Sequence, residues 1–207
     1  VIARAFRPCG VIAPVLLASC LGQNPPGTPI GSPRAPAPLA EAPADELNLA
    51  RDPRAVIDSA RALMRADSNM ALVTVDSAGR PRVRTVRAFL DDPDPGKPAS
   101  GMTVWVMTRL STRKIEQIRR HPQVALYFNA DDQVRYATLM GLAVVHTDPG
   151  HPGARRHYDD EYARFFWPDF PRDFVMIEVR PVWLEYMGPG LWNDRTTWRP
   201  QAVVFPR

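Results

Sequence analysis

Cysteine is nearly missing from this chain. Two of its 207 residues are Cys, Cys9 and Cys20, and both precede residue 21. The remainder can be held neither by disulfides nor by cysteine-ligated metal. No apolar run is long enough to span a bilayer. There is no G-x-G-x-x-G, no Walker loop and no H-E-x-x-H, so the usual dinucleotide, nucleotide-triphosphate and zinc-hydrolase signatures are excluded. The four histidines, His121, His146, His151 and His157, are scattered. Only His151 and His157 could meet near a helix start, and no metal site is expected from them. The serines lack a nucleophile-elbow context. The net charge of +4 is modest and the arginines are spread along the chain. No stripe of interleaved basic and aromatic residues marks a nucleic-acid binder. No side chain announces itself as a nucleophile or base.

What is present divides the chain in three. Residues 1–20 have the layout of an export signal: Arg4 and Arg7, then the short apolar core Val11–Leu17. Leu17-Ala18-Ser19-Cys20 resembles a bacterial lipoprotein box, in which the cysteine is lipidated and begins the mature chain. The expectation is an exported lipoprotein of the bacterial cell envelope, touching membrane only through Cys20. The alternative is an apolar tail on a misassigned start, and then a cytoplasmic protein. Residues 21–44 are rich in Pro, Gly and Ala with almost no charge, the composition of a disordered tether. Residues 45–207 carry the folded domain. With 45% hydrophobic and 23% charged residues overall, the chain has room for one sizeable core.

The informative stretch of that domain is Trp105–Pro122, WVMTRLSTRKIEQIRRHP. Trp105-Val106-Met107 is apolar and β-prone. Ser111 or Thr112 can cap a helix, Ile115 and Ile118 recur at helical spacing, and Pro122 stops it. Arg113 and Lys114 then sit in the first turn, where acidic residues are normally favoured. Two cations there suit a bound phosphate, which would satisfy the free N–H groups and both side chains together. The bland alternative is a solvated helix start that tolerates its cations.

Around this stretch, Asp52-Pro53 opens a helix whose apolar stripe runs Val56, Ile57, Ala60, Leu63 and Met64. Ala71–Asp76, the turn Ser77-Ala78-Gly79 and Arg82–Leu90 form a hairpin. On the second strand, Arg82, Arg84, Val86 and Ala88 face one way, and Val83, Thr85, Arg87 and Phe89 the other. An arginine among apolar neighbours on each face implies either a solvated edge or an anionic partner. Met102–Thr108, Val124–Asn129 and Tyr136–Thr147 are further strands. Ala154–Phe166 reads as one helix, with Phe165, Phe166 and Trp167 packed on the sheet. Phe174–Met187 is the last clear strand, and Pro181 within it implies an edge or a bulge. These short strands with two or three helices predict a mainly β fold, a small antiparallel barrel.

Thr108–Pro122 followed by Val124–Phe128 resembles the flavin-phosphate segment of the pyridoxamine 5′-phosphate oxidase-like, FMN-binding split β-barrel family, in its general stress protein branch. The likeness runs over about residues 53–188 in element order. It implies a split antiparallel β-barrel with a few covering helices, FMN as cofactor, and a homodimer whose groove holds the flavin. Related barrels bind haem or a deazaflavin instead. The likeness carries the strand that lines the flavin ring to Arg84, Thr85, Val86 and Arg87. It carries the phosphate role to Arg113 and Lys114, with Met107 and Thr108 beside them. Tyr136 falls where the classical oxidases usually have a flavin-contacting glutamine, and Arg195 keeps a flavin-contacting arginine.

The substrate-holding pattern departs. Phe89 replaces the lysine that grips substrate phosphate in the vitamin B6 oxidases. Leu191 and Asn193 replace a substrate-holding arginine and histidine, and Met187 replaces a flavin-stacking tryptophan. The resemblance therefore implies an FMN-dependent oxidoreductase acting on a small molecule other than pyridoxamine 5′-phosphate. The alternative is a non-catalytic module that holds or senses a flavin, haem or deazaflavin.

Overall fold

The computed structural model describes residues 48–66, 68–96, 100–130, 132, 134–191 and 198–206. The expected signal, the tether, Cys20, Asn193 and Arg195 lie outside them.

Helix α1 (Pro53–Ala66) starts where the sequence predicts. The Asp52 carboxylate accepts from Ala55 N at 3.1 Å, an N-cap that satisfies one free donor of the first turn. Its stripe of Val56, Ile57, Ala60, Leu63 and Met64 is buried in the main core. Strands β1 (Asn69–Val75) and β2 (Pro81–Leu90) form the hairpin, in register from Asn69↔Arg87 to Val75↔Pro81. Its turn is tied by the Asp76 carboxylate, which accepts from Ala78 N and Arg80 N, and it turns through Gly79 at φ +76°.

Strand β3 (Val104–Arg109), helix α2 (Arg113–Arg120), β4 (Gln123–Asn129) and β5 (Tyr136–His146) follow. After the short helices α3 (Pro152–Arg155) and α4 (Asp160–Phe166) comes β6 (Phe174–Met187), and then β7 (Gln201–Val204). The strands run in the order β3-β2-β1-β4-β5-β6, all antiparallel, and β3 pairs with β6 to close a six-stranded barrel. Its interior is filled by alternate residues such as Leu72, Val106, Leu126, Leu139 and Ile177, all fully buried.

Strand β6 changes partners along one edge. Phe174–Val179 pair with β3, and Trp183–Tyr186 pair with β7. Pro181, which has no N–H to give, stands between the two ladders. On the other edge the register with β5 slips at Met140/Gly141, so the proline marks a bulge inside the sheet. Gly141 is required there: a Cβ would lie 2.3 Å from the Arg180 carbonyl oxygen.

Three expectations are corrected. The helix predicted over 154–166 is two helices. Asp159 accepts from Tyr162 N at 2.7 Å and restarts the helix as an N-cap, which a period count over the whole stretch conceals. Phe165 and Phe166 do not pack on the barrel; Phe165 is 80% exposed. Trp167 alone of that trio packs into the second core cluster, with Phe174. Phe174–Met187 is not the last strand, because the four-residue β7 adds to it. Among the described residues no helix is long and apolar enough to cross a membrane.

Helices α3 and α4 cover Trp105 on the outer side of β3. Three histidine rings surround that indole: His146, His151 and His157, with centroids 5.5, 5.6 and 6.0 Å away. His146 binds Glu178 at 2.8 Å and His157 binds Asp91 at 2.9 Å. The first pair ties β5 to β6, the second fastens the segment after α3 to the end of β2, and among the described residues no group of His, Cys, Asp or Glu has a metal-holding arrangement.

Candidate functional site: a seam between β2 and β3

The barrel wall is incomplete at one place. β2 pairs with β3 only through Ala88–Leu90, opposite Val104–Val106. Pro81–Arg87 pair with β1 alone, and Met107–Arg109 pair with β6 alone. The two strands part, and each presents backbone polar groups along an open seam. Arg84, Thr85, Val86 and Arg87 lie on one lip; Met107 and Thr108 lie on the other. Arg113 and Lys114 open the helix that begins four residues after β3 ends.

Charge gathers at that helix start. Lys114 is half-buried, and its Nζ donates to Thr108 Oγ1 at 2.8 Å and Thr112 Oγ1 at 3.2 Å. Arg84, also half-buried, donates from Nη1 to Thr74 Oγ1 at 2.6 Å and from Nη2 to Gln117 Oε1 at 2.9 Å. All these acceptors are neutral. Among the described residues Arg84, Arg113 and Lys114 form no ion pair, whereas Arg82 pairs with Asp76 at 2.7 Å and Arg120 with Glu116. Burial, then the charges of Arg113 and Arg82, pushes the Arg84 guanidinium down from its usual range. Burial and Arg84 push the Lys114 ammonium down as well. Asp76, by contrast, is held well below the usual carboxylate range by the backbone N–H of Arg80 and by Arg82.

Thr112 is the N-cap residue of α2, but its side chain makes no cap bond; its hydroxyl donates to the Arg109 carbonyl instead. The first-turn N–H groups of α2 therefore have no side-chain acceptor. Arg113 faces a cleft of about 210 Å³, lined also by Ser77 and Gln117 and by two carboxylates with their arginine partners, Asp76 with Arg82 and Glu116 with Arg120.

The other expected residues stand apart from this cation cluster. Thr85 and Arg87 point outward, and the Arg87 guanidinium lies over the rings of Phe89 and Tyr162, at 5.7 and 5.9 Å. Val86 faces the core. Met107 packs in the aromatic cluster beneath α4. Tyr136 sits at the start of β5 against Tyr127, at 5.7 Å, with its phenol pushed up by burial and by Glu185. Sequence reasoning missed Thr74 and Gln117. The available signal was spacing: Gln117 is four residues after Arg113, on the same face of α2.

The family model described as pyridoxamine 5′-phosphate oxidase matches residues 56–188. The chain belongs to the pyridoxamine 5′-phosphate oxidase-like split β-barrel family. Solved structures share its fold. A protein related to general stress protein 26, from Clostridium acetobutylicum, superposes with a TM-score of 0.57 at 16% identity over 74% of this chain and 97% of that one. General stress protein 26 from Bacillus anthracis gives 0.54 at 16% identity, over 72% and 98%. A heme binding protein from Mycobacterium smegmatis gives 0.53 at 17%, over 75% and 60%. No curated protein matches the chain in sequence.

Proposed function

We propose that this family member binds FMN in the β2–β3 seam and is an oxidoreductase acting on a small molecule other than pyridoxamine 5′-phosphate. The observation that carries the reading is the cluster of Arg84, Arg113 and Lys114. Arg84 on β2 and Lys114 at the start of α2 donate only to neutral acceptors, and Arg113 beside them forms no ion pair among the described residues. A phosphate monoester supplies the missing negative charge and accepts from the free N–H groups. The open backbone of Arg84–Arg87 suits the polar edge of a flavin ring, and Arg195 and Tyr136 remain candidate contacts. FMN, when bound, supplies the redox chemistry. The chain's own residues hold its phosphate, orient its ring and exclude water.

The substrate side supports a departure from vitamin B6. Phe89 is edge-on to Tyr162 at 6.5 Å and offers no charge to a substrate phosphate. Met187 is buried, and Leu191 packs against the core.

The same reading takes the protein as a homodimer without nucleic-acid partners. The outer face of β2, β1, β4 and β5 presents the row Val83-Val73-Ala125-Met140, and beside it Ala71 and Tyr127. Val83 is 65% and Tyr127 40% exposed, an apolar face of the kind a second subunit covers. Cys20 is taken as the lipid anchor at the cell envelope. Detergent-phase partitioning that persists in Cys20→Ala would remove that part of the proposal.

The test of the cofactor is the chromophore of protein purified without added ligand. FMN released on heating, identified by absorbance and mass, is the expected result. A Soret band would make the ligand haem, a deazaflavin spectrum would select that alternative, and a colourless protein that takes up no added FMN contradicts the reading. Bound flavin that no reductant or substrate reduces would select the carrier or sensor.

A further inference from the structure

Arg84 is held from behind by two residues that nothing so far assigns to function. Its Nη1 donates to Thr74 Oγ1 at 2.6 Å and its Nη2 to Gln117 Oε1 at 2.9 Å. The Thr74 hydroxyl in turn donates to Gln117 Oε1 at 2.6 Å. The three hydrogen bonds form a closed ring spanning β2, β1 and α2. An arginine can only donate, so the ring fixes the amide with Oε1 toward Arg84. Thr74 is fully buried, which gives the ring a rigid base on the barrel wall. Gln117 also lines the cleft that Arg113 faces.

The chemistry of the two partners is the point. Hydroxyl and amide satisfy two guanidinium N–H groups without cancelling the charge. The neighbouring cations Arg82 and Arg120 are treated otherwise, each tied to a carboxylate. Glu116, one position before Gln117 on the same helix, is one of those carboxylates. A glutamate at 117 would occupy the same volume and turn the contact into an ion pair, leaving Arg84 electrostatically spent.

We propose that Thr74 and Gln117 are positioning residues that keep Arg84 aimed and uncompensated, so that the site selects a phosphomonoester over the same molecule without its phosphate. This rests on the reading of the seam as a flavin site, and it assigns the discrimination between FMN and riboflavin to a neutral brace. Arg84 retains three N–H donors beyond the ring for the ligand.

The test titrates FMN and riboflavin into the flavin-free full chain, for wild type, Gln117→Glu, Gln117→Leu and Thr74→Val, with circular dichroism and melting temperature as fold checks. Gln117→Glu is expected to weaken FMN roughly 10- to 100-fold while riboflavin changes less than about 3-fold. Gln117→Leu and Thr74→Val should lower the FMN/riboflavin preference by smaller factors in the same direction. Equal losses for both ligands would mark a merely structural role and overturn the proposal, as would unchanged FMN affinity in folded Gln117→Glu. If wild type binds neither flavin, the functional reading fails by itself. The brace is then decided with pyrophosphate as probe: a melting-temperature rise in wild type that Gln117→Glu loses sustains it, and equal behaviour of the two proteins overturns it.

Discussion

Lys114 Nζ lies 2.8 Å from the hydroxyl of Thr108, so the first turn of α2 is tied to the last turn-ward residues of β3 through a neutral contact. The pairing fixes where the ammonium sits without neutralising it. Arg84, on the opposite lip of the seam, adds its own positive charge to the same place and helps push Lys114 below the ordinary lysine range. A site that concentrates repelling cations is stabilised when an anion enters.

Alkaline pH should therefore weaken the site early. The folded, ligand-free Lys114 gives up its proton below the usual 10.5, and a bound phosphate favours the protonated form. Binding takes up a proton below that pH, so the Kd for FMN should already rise as pH climbs toward 10.5. Lys114→Arg, which keeps its charge throughout, should flatten the rise. Fluorescence titrations at stepped pH check both.

Acid should loosen the helical cover. Burial pushes the His157 imidazole below 6.5, and the Asp91 carboxylate only partly offsets this. Below pH 6.5 the unfolded chain binds a proton that the folded one resists, so stability falls as pH drops from 6.5 toward the folded value. His157→Gln cannot titrate and can still donate to Asp91. Its melting temperature should change less between pH 7.5 and 5.5 than that of wild type. The depressed Glu178 carboxylate, where hydrogen bonds from Arg180 and His146 outweigh burial, acts only below about pH 4.5 and leaves this window clear.

Gly141→Ala should be strongly destabilising. The added methyl meets the Arg180 carbonyl oxygen at 2.3 Å and Val179 Cγ1 at 2.8 Å, inside the paired bulge of β5 and β6. About 3 kcal/mol is expected, which lowers the melting temperature of a domain this size by roughly 6–12 °C. A calorimetric scan measures it.

Val83→Arg should produce monomers. It places a charge at the most exposed member of the apolar row of β2, β1, β4 and β5, at its β2 end, without touching the core. Light scattering after size exclusion reads the mass directly, and a dimer that persists in the variant would move the interface elsewhere.

Most of the barrel was legible because its punctuation is local. Asp52-Pro53, the Ser77–Gly79 turn, Pro122 and Pro181 each mark a boundary that the backbone chemistry enforces. The helix 154–166 was misjudged because Asp159 works as a cap only once α3 has ended, which no period reveals. β7 is four residues long and is held mainly by its partner β6. At the site, Arg84, Arg113 and Lys114 were visible as charges in positions that disfavour them. Thr74 and Gln117 were not, because an ordinary threonine and glutamine acquire meaning only when β1 and α2 are brought together in space. The seam itself is a failure of pairing between neighbouring strands, a property of register rather than of any residue.

A phosphate held by the cations at the start of α2 underlies the proposed flavin binding. The most direct measurement is calorimetric titration of FMN into the flavin-free wild type and into Arg113→Ala/Lys114→Ala. Wild type should bind saturably, and the double variant should lose at least about 100-fold in affinity, from two charge-assisted contacts removed together. Undiminished FMN affinity in a folded double variant would contradict it.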